Sequence, residues 1–171
     1  AATNLDKAMT NIRIVTGDSR EEAVEYMKSL SGLAGQLSVT TQEVASAADD
    51  WLRQGYSISD TNALITDSIH LSVLGLVSQG EATSDLTSIM KGYKLSVNEA
   101  ATAVDKLTAV DMQSASSAGG IAQALQQVAN VANTAGVSLD QTIGMISTIS
   151  DVTQREPSSV GQALRTMIAR F

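Results

Sequence analysis

The chain has 171 residues, a net charge of −7 and no cysteine, and 72 of its residues are Ala, Ser, Thr or Gly. This length suits one domain or an elongated array of small units. The missing cysteine excludes a disulfide framework and thiol chemistry, and the acidic balance argues against specific binding of nucleic acid, which needs a basic face. With only 3% aromatic residues, the composition favours thin helices that pack closely through small side chains.

Apolar spacing predicts four helices in the first half of the chain. The first covers residues 2–15 and ends at Thr16-Gly17-Asp18. In the second, over residues 19–37, apolar side chains recur at steps of three and four residues, which places them on one helix face. The third and fourth helices are predicted over residues 40–54 and 59–77.

The second half continues with five more predicted helices, over residues 79–91, 96–110, 117–135, 139–151 and 159–170. No segment shows the sustained alternation of a strand bounded by turn signals. We therefore predict an all-α fold. It consists of about nine short-to-medium antiparallel helices, in a solenoid-like array or an irregular helical bundle.

Capping boxes mark most of the predicted helix starts. In this motif a Ser or Thr hydroxyl and a Glu or Gln side chain three residues later satisfy two backbone N–H groups. The sequence predicts boxes at Ser19 with Glu22, Thr40 with Glu43, Ser78 with Glu81, Ser96 with Glu99, and Ser138 with Gln141. Ser59 with Asn62 is a weaker version, and Ser159 with Gln162 marks a last helix after Pro157.

Several caps belong to a longer turn pattern, in which a glycine ends one helix and a branched apolar residue precedes the next cap. The pattern is seen in the runs that start at Gly55, Gly92 and Gly136, and Val39-Thr40 repeats its last step without the glycine. Glycine relieves the cost of a left-handed turn. The cap residues 40, 59, 96 and 138 are 19, 37 and 42 apart, and two of these intervals resemble a helical-hairpin repeat.

Residues 112–139 contain no Asp, Glu, Lys or Arg, and a stretch of that length invites a membrane-spanning interpretation. Six amides oppose it, because burying them in hydrocarbon is costly. These amides are Gln113, Gln123, Gln126, Gln127, Asn130 and Asn133. We expect the segment to pack against helices of its own or of another copy. Residues 1–6 have neither a basic flank nor an apolar run, so no secretory signal is predicted there.

Groups that could converge on a catalytic site are scarce. His70 is the only histidine, and its apolar neighbours favour a hydrogen-bonded, half-buried side chain over a general base. The pairs Glu21-Glu22 and Asp49-Asp50 have the residue type of a glycosidase site, but acidic residues also favour the first turn of a helix, where Glu21 and Glu22 lie. No phosphate-binding glycine loop occurs. The sequence predicts no catalytic residue, no cofactor-binding residue and no metal ligand, and we do not expect an enzyme.

The large side chains are interpreted as packing residues. Trp51 and Tyr56 bracket the end of the third helix, and packing is favoured there over an interaction hot spot. The six methionines are scattered along the chain. Adaptable filling of the core explains them better than a Met-rich binding groove.

Together, the order and spacing of these motifs resemble the core region of phage tail tape measure proteins, from Val39 to Phe171. Two segments carry most of the resemblance, the run 129–142 around Gly136-Val137-Ser138-Leu139-Asp140 and the closing run 161–171, which begins Gly161-Gln162-Ala163-Leu164-Arg165-Thr166-Met167 and ends at Phe171. Two departures are Tyr93-Lys94, which lengthens the turn after Gly92 relative to the one at Gly136, and Arg155-Glu156-Pro157, where a glycine-containing turn is usual.

The resemblance implies a structural protein of a phage or prophage tail. Its family members occupy the lumen of the tail tube, set tail length, take part in DNA ejection and are made in the cytoplasm of the bacterial host. Implied partners are the tail tube protein, tail assembly chaperones and other tape measure copies, and contact with a membrane at ejection would not come from a spanning helix here. No catalytic residue comes with the resemblance.

The expected organisation is the end of an upstream helix and its turn over residues 1–18, followed by a helical tape measure core domain over 19–171, as a fragment of a longer protein. Sustained heptads are absent from the sequence, so we expect a globular or solenoid-like domain rather than the length-counting segment. Two alternatives remain at this point. One is a non-phage helical interaction module, such as an adaptor or chaperone array, and the other is a cell-wall hydrolase.

Overall fold

The computed structural model describes residues 2–112, 114 and 116–170, with side chains from Leu5 onward. Gln113 and Phe171, which the amide series and the closing motif include, lie outside the described residues. Within the described part there are nine helices and no strand: α1 (Ala2–Thr16), α2 (Arg20–Leu37), α3 (Thr41–Arg53), α4 (Ile58–Gly75), α5 (Gln79–Tyr93), α6 (Val97–Asp111), α7 (Ala118–Thr134), α8 (Leu139–Thr153) and α9 (Pro157–Ile168). The all-α prediction is confirmed, and each predicted helix end lies within two residues of the observed one.

Local hydrogen bonds explain where the helices begin. Complete capping boxes open α2, α3, α5 and α8, as predicted. In the box of α8, the Ser138 N–H donates to Gln141 Oε1 at 3.0 Å, and the Gln141 N–H donates to Ser138 Oγ at 3.2 Å. At α6 the Glu99 carboxylate accepts from both the N–H and the hydroxyl of Ser96, whereas the Glu99 N–H donates to the Ser96 carbonyl.

The capping predictions at Ser59 and Ser159 are wrong. At α4 the cap is Ser57, whose hydroxyl donates to Asp60 Oδ2 at 2.8 Å and accepts from the Asp60 N–H at 3.1 Å. Ser59 therefore lies inside the helix. At α9 the cap is Glu156 and Pro157 occupies the first turn, because proline needs no hydrogen bond for its nitrogen there. Ser159 lies inside that helix as well.

Four turns share one backbone design. A residue in the left-handed conformation ends a helix, and the N–H of the apolar residue after it bonds to the carbonyl five residues back, which is the Schellman arrangement. The left-handed residues are Ser38, Leu76, Lys94 and Gly136, and the bonds run from Val39 to Ala34, Val77 to Ser72, Leu95 to Met90 and Val137 to Ala132. The caps that follow are at 40, 78, 96 and 138, so Ser78 takes the place predicted for Ser59.

The first of two compact units covers Ala1–Ile69. In it α3 packs against α1 and α2, and the fully buried Trp51 is its largest core side chain. The Trp51 ring meets Tyr56 edge-on at 5.5 Å, and its Nε1 donates to Ser68 Oγ at 3.4 Å. The hydroxyl of Tyr26 donates to Asn62 Oδ1 at 3.1 Å, and burial raises the pKa of Tyr26 to about 12.

The second unit covers His70–Phe171 and is built around α7. This helix packs against α5, α6, α8 and α9, and its buried face consists of Ala118, Gly119, Ile121, Ala122, Ala124, Leu125, Val128, Ala129 and Ala132. The uncharged segment therefore packs against helices of its own chain. Packing against helices of the same chain or of another copy was expected from the sequence, and the described residues pack within the chain. The division at residue 18 stays a prediction.

Candidate functional site

The second unit holds its helices at distances that only very small residues allow. A Cβ atom added at Gly92 of α5 would lie 2.5 Å from the Cβ of Ala129, and one added at Gly161 of α9 would lie 2.8 Å from the Cα of Ala124. Real Cβ atoms do not approach other heavy atoms this closely, so glycine sets the separation of α7 from both neighbours.

Gly92 does not end a helix, contrary to the prediction. It is buried one residue before the end of α5, and the left-handed turn is made by Lys94 instead. A glycine shortly before a branched apolar residue can either end a helix or allow close contact with a neighbouring helix. The local sequence does not distinguish these two roles, because the second one depends on a helix that is distant in sequence.

Polar side chains of α7 bond to neighbouring helices or stay at the surface. Asn133 Nδ2 donates to the carbonyl of Gly92 at 3.0 Å, and Gln126 Nε2 donates to Ser84 Oγ at 3.0 Å. These amides opposed a membrane-spanning interpretation in the sequence. Among the described residues, no helix combines the length and the apolar character that a membrane span requires.

The outer side of α8 carries a shallow apolar groove, for which we use the name α8 groove. Its volume is about 600 Å³, and it is lined by Val137, Gln141, Gly144, Met145, Thr148 and Ile149. A Cβ atom added at Gly144 meets nothing within 4 Å, so this glycine faces open space. The α8 groove is therefore a candidate surface for contacts with other proteins.

Comparison with known proteins decides which class of protein carries this arrangement. The model of the phage-related minor tail protein family matches residues 27–171. The chain belongs to this family. Its match begins upstream of Val39, where the resemblance in the sequence starts, so the family region takes in most of α2 as well.

A curated relative of this minor tail family member is a tape measure protein from Pneumococcus phage Dp-1. The two are 19% identical over 163 residues, which is 95% of this chain and 14% of the relative. The chain thus spans about one seventh of the length of that relative. No solved structure matches the present chain significantly.

The sequence candidates for chemistry have local structural explanations in this tail protein. His70 is exposed, so the prediction of a half-buried histidine is wrong. Successive residues turn by about 100° around a helix axis, and His70 faces outward between two buried neighbours. The Glu22 carboxylate accepts the N–H of Ser19 at 2.9 Å, and hydrogen bonds from Ser19 lower the pKa of Glu22.

The other acidic pair also has structural partners. Asp49 Oδ1 lies 2.9 Å from Arg53 Nε, and its Oδ2 accepts from Asn11 Nδ2 at 3.1 Å. Burial raises the pKa of the neighbouring Asp50 carboxyl. The bond from Asn11 joins α1 to α3, so Asp49 has a structural role in the first unit.

The prediction that the tryptophan and the methionines fill the core is only partly correct. It is confirmed for Trp51, which is fully buried, and for Met90. It is wrong for Met112 and Met167, which are 84% and 49% exposed. The residue missed by the sequence reasoning is Asp85, a buried carboxyl on α5 whose apolar neighbours at 82, 86, 89 and 90 share its helix face.

Proposed function

We propose that this chain is a segment of a tape measure protein and lies in the lumen of a phage tail tube. The observation that carries the proposal is the match to a tape measure protein along 95% of the chain. Family membership supports a tail location in general. The role is structural, and partners of the segment would be the tail tube protein, tail assembly chaperones and other tape measure copies.

Helix lengths argue that the segment is a folded domain and not the measuring rod. Its longest helices, α2 and α4, have 18 residues each, which corresponds to about 27 Å at 1.5 Å per residue. A rod that counts length needs continuous helices with sustained heptads. Here capped turns interrupt the chain every 12 to 18 residues. The α8 groove offers exposed apolar surface for contacts with tail components.

A deletion in the phage tests this division of roles. Removing residues 40–135 deletes α3 to α7 and leaves the second unit without its central helix, so we expect no assembled tails or no infection. If the segment counts length, 96 residues of continuous helix would correspond to a tail shortened by about 144 Å. Viable phage with tails shortened by that amount, measured by electron microscopy, would contradict the proposal.

Location is tested by labelling. An antibody against the segment, viewed by electron microscopy, should label broken tail tubes but not intact tails, because the lumen of an intact tube is closed to antibodies. Labelling along the outer surface of intact tails would overturn the lumen location. The structural role is tested by incubating the purified chain with peptidoglycan. Release of fragments that is lost on substitution of a single Glu would show a hydrolase instead.

A further inference from the structure

A small cleft in the second unit is lined entirely by polar side chains. Its volume is about 280 Å³, and it lies where α5, α7 and α9 meet. The lining residues are Glu81, Ser84, Asp85, Gln123, Gln126, Gln127 and Ser158. We call it the Asp85 cleft.

Asp85 is the unusual member of this lining. Its side chain is 2% exposed, and its Oδ2 atom is buried without a hydrogen-bond partner. A buried carboxyl without a donor is costly. Glu81 lies one helical turn earlier on α5 and adds a second negative charge, since residues four apart are neighbours on a helix surface. None of the lining residues is Lys, Arg or His.

The remaining lining groups add acceptor oxygens to those of Asp85. Gln126 uses one N–H of its amide to bond to Ser84 Oγ, and its amide oxygen is a further acceptor. The carboxylate of Glu81 has one oxygen engaged by the cap residue Ser78, whose N–H lies 2.9 Å from it. The cleft therefore offers negative charge and oxygen acceptors to a ligand that brings donors and positive charge.

Such a lining is compatible with a metal cation or with an ammonium group. The two differ in how many oxygen ligands they need. Calcium takes six to eight oxygen ligands, usually with several carboxylates. In the described residues no cluster of three or more His, Cys, Asp or Glu side chains is arranged to hold a metal ion. A primary ammonium carries one charge and three N–H donors, so three acceptors satisfy it.

We propose that the Asp85 cleft binds a primary alkylammonium group, with the Asp85 carboxylate as its main acceptor and Glu81 as a second negative charge. The group is either the side chain of a partner's lysine or one end of a free diamine. This inference concerns the purified chain and does not depend on the tape measure role. Failure of the ammonium proposal leaves the tape measure proposal unaffected, and the reverse also holds.

Proton binding competes with the ligand and makes the proposal quantitative. Burial, and secondarily the charge of Glu81, raise the pKa of Asp85 to about 7. The lining contributed by α7 and α9 is uncharged, so these two acids on α5 are the titratable groups that face the cleft. Because the ammonium needs the ionised carboxylate, affinity should rise about tenfold between pH 6 and pH 8.

The test is a titration of the isotope-labelled chain, followed by nuclear magnetic resonance, at both pH values. The probes are 1,5-diaminopentane and Nα-acetyl-lysine methylamide, with Nα-acetyl-norleucine methylamide as the uncharged match. We expect saturable shifts of α5 and α7 amides with both amines and none with the norleucine compound. A clear preference between the amines identifies the source of the ammonium group.

Variants complete the test. Asp85→Asn keeps the side-chain shape and should abolish binding and its pH dependence. Asp105→Asn removes the same charge from an exposed site on α6 and should bind as the unmodified chain does. Unchanged binding by the Asp85 variant overturns the proposal. So does a result in which calcium or magnesium chloride shifts the same amides and the amines do not.

Discussion

Replacing Gly161 with alanine tests the close approach of α9 to α7. A Cβ atom at this position would lie 2.8 Å from the Cα and 2.9 Å from the carbonyl carbon of Ala124. Both are backbone atoms, so no side-chain rotation relieves the overlap. The helices have to move apart, and the buried apolar face of α7 loses contacts with its neighbour.

The magnitude follows from two opposing effects. Adding atoms to a packed interface costs about 1–3 kcal/mol, and contact with backbone places Gly161→Ala near 3 kcal/mol. Replacing a helical glycine with alanine returns about 1 kcal/mol. The net loss is therefore about 2 kcal/mol. For a unit of roughly 100 residues, this lowers the melting temperature by roughly 10 °C, or by roughly 6 °C if the whole chain unfolds together.

Gly144→Ala in α8 is the matched control. It makes the same chemical change inside a helix, but the added Cβ atom meets nothing within 4 Å. We expect it to raise the free energy of unfolding by about 0.5–1 kcal/mol. Urea and thermal unfolding, followed by far-ultraviolet circular dichroism, measure both variants under the same conditions.

The comparison can refute the packing described here. If Gly161→Ala is as stable as Gly144→Ala, then α9 does not approach α7 at the distance that the structure shows. A double variant sharpens the result. Because the overlap is with the backbone of Ala124, adding Ala124→Gly to Gly161→Ala should not restore stability.

Three further predictions concern the second unit and the caps. Gly92→Ala should destabilise the chain, and Ala129→Gly should restore part of the loss because the nearest atom there is a side-chain Cβ; no restoration in urea unfolding would speak against that contact. Ser138→Ala should cost about 1 kcal/mol through the lost cap, whereas Ser59→Ala should change stability little because Ser59 is not a cap; equal losses would refute the assignment. Cap hydrogen bonds lower the pKa of Glu81 below its usual 4.5, so its stabilisation is present above that pH and is lost as pH falls through the lower folded value. Replacement of Glu81 by Gln should therefore reduce the loss of stability as pH falls below 4.5, and an unchanged acid limb would contradict this.

The sequence was sufficient to predict a helix start wherever the hydrogen bonds that fix it join residues close in the chain. A cap serine and its partner are three residues apart, so the starts of α2, α3, α5 and α8 could be read from residue types alone. The exception at α4 is also local, because Ser57 with Asp60 offers the same chemistry two residues before Ser59. A capping search that accepted Asp at the third position would have found it.

Contacts between helices were out of reach of the sequence. Leu76 adopts a left-handed conformation with φ of 52°, a position where glycine is the usual signal, so the turn before α5 escaped the glycine pattern.

The burial of Asp85 could not be predicted either. It lies among the apolar residues of α5, and whether such an acid faces solvent or a cleft depends on α7 and α9, which are distant in sequence.

The small residues of α7 have a consequence for how this tail segment acts. The stretch without charge is the one that most resembles a lipid-contacting segment, yet its apolar face is fully used inside the second unit. Contact between that face and a membrane during ejection would require α5 and α9 to separate from α7 first. On α8, by contrast, exposed apolar surface forms a groove. A partner that binds the folded segment through apolar surface is therefore expected at α8, whereas lipid contact by the buried face of α7 would require this unit to open first.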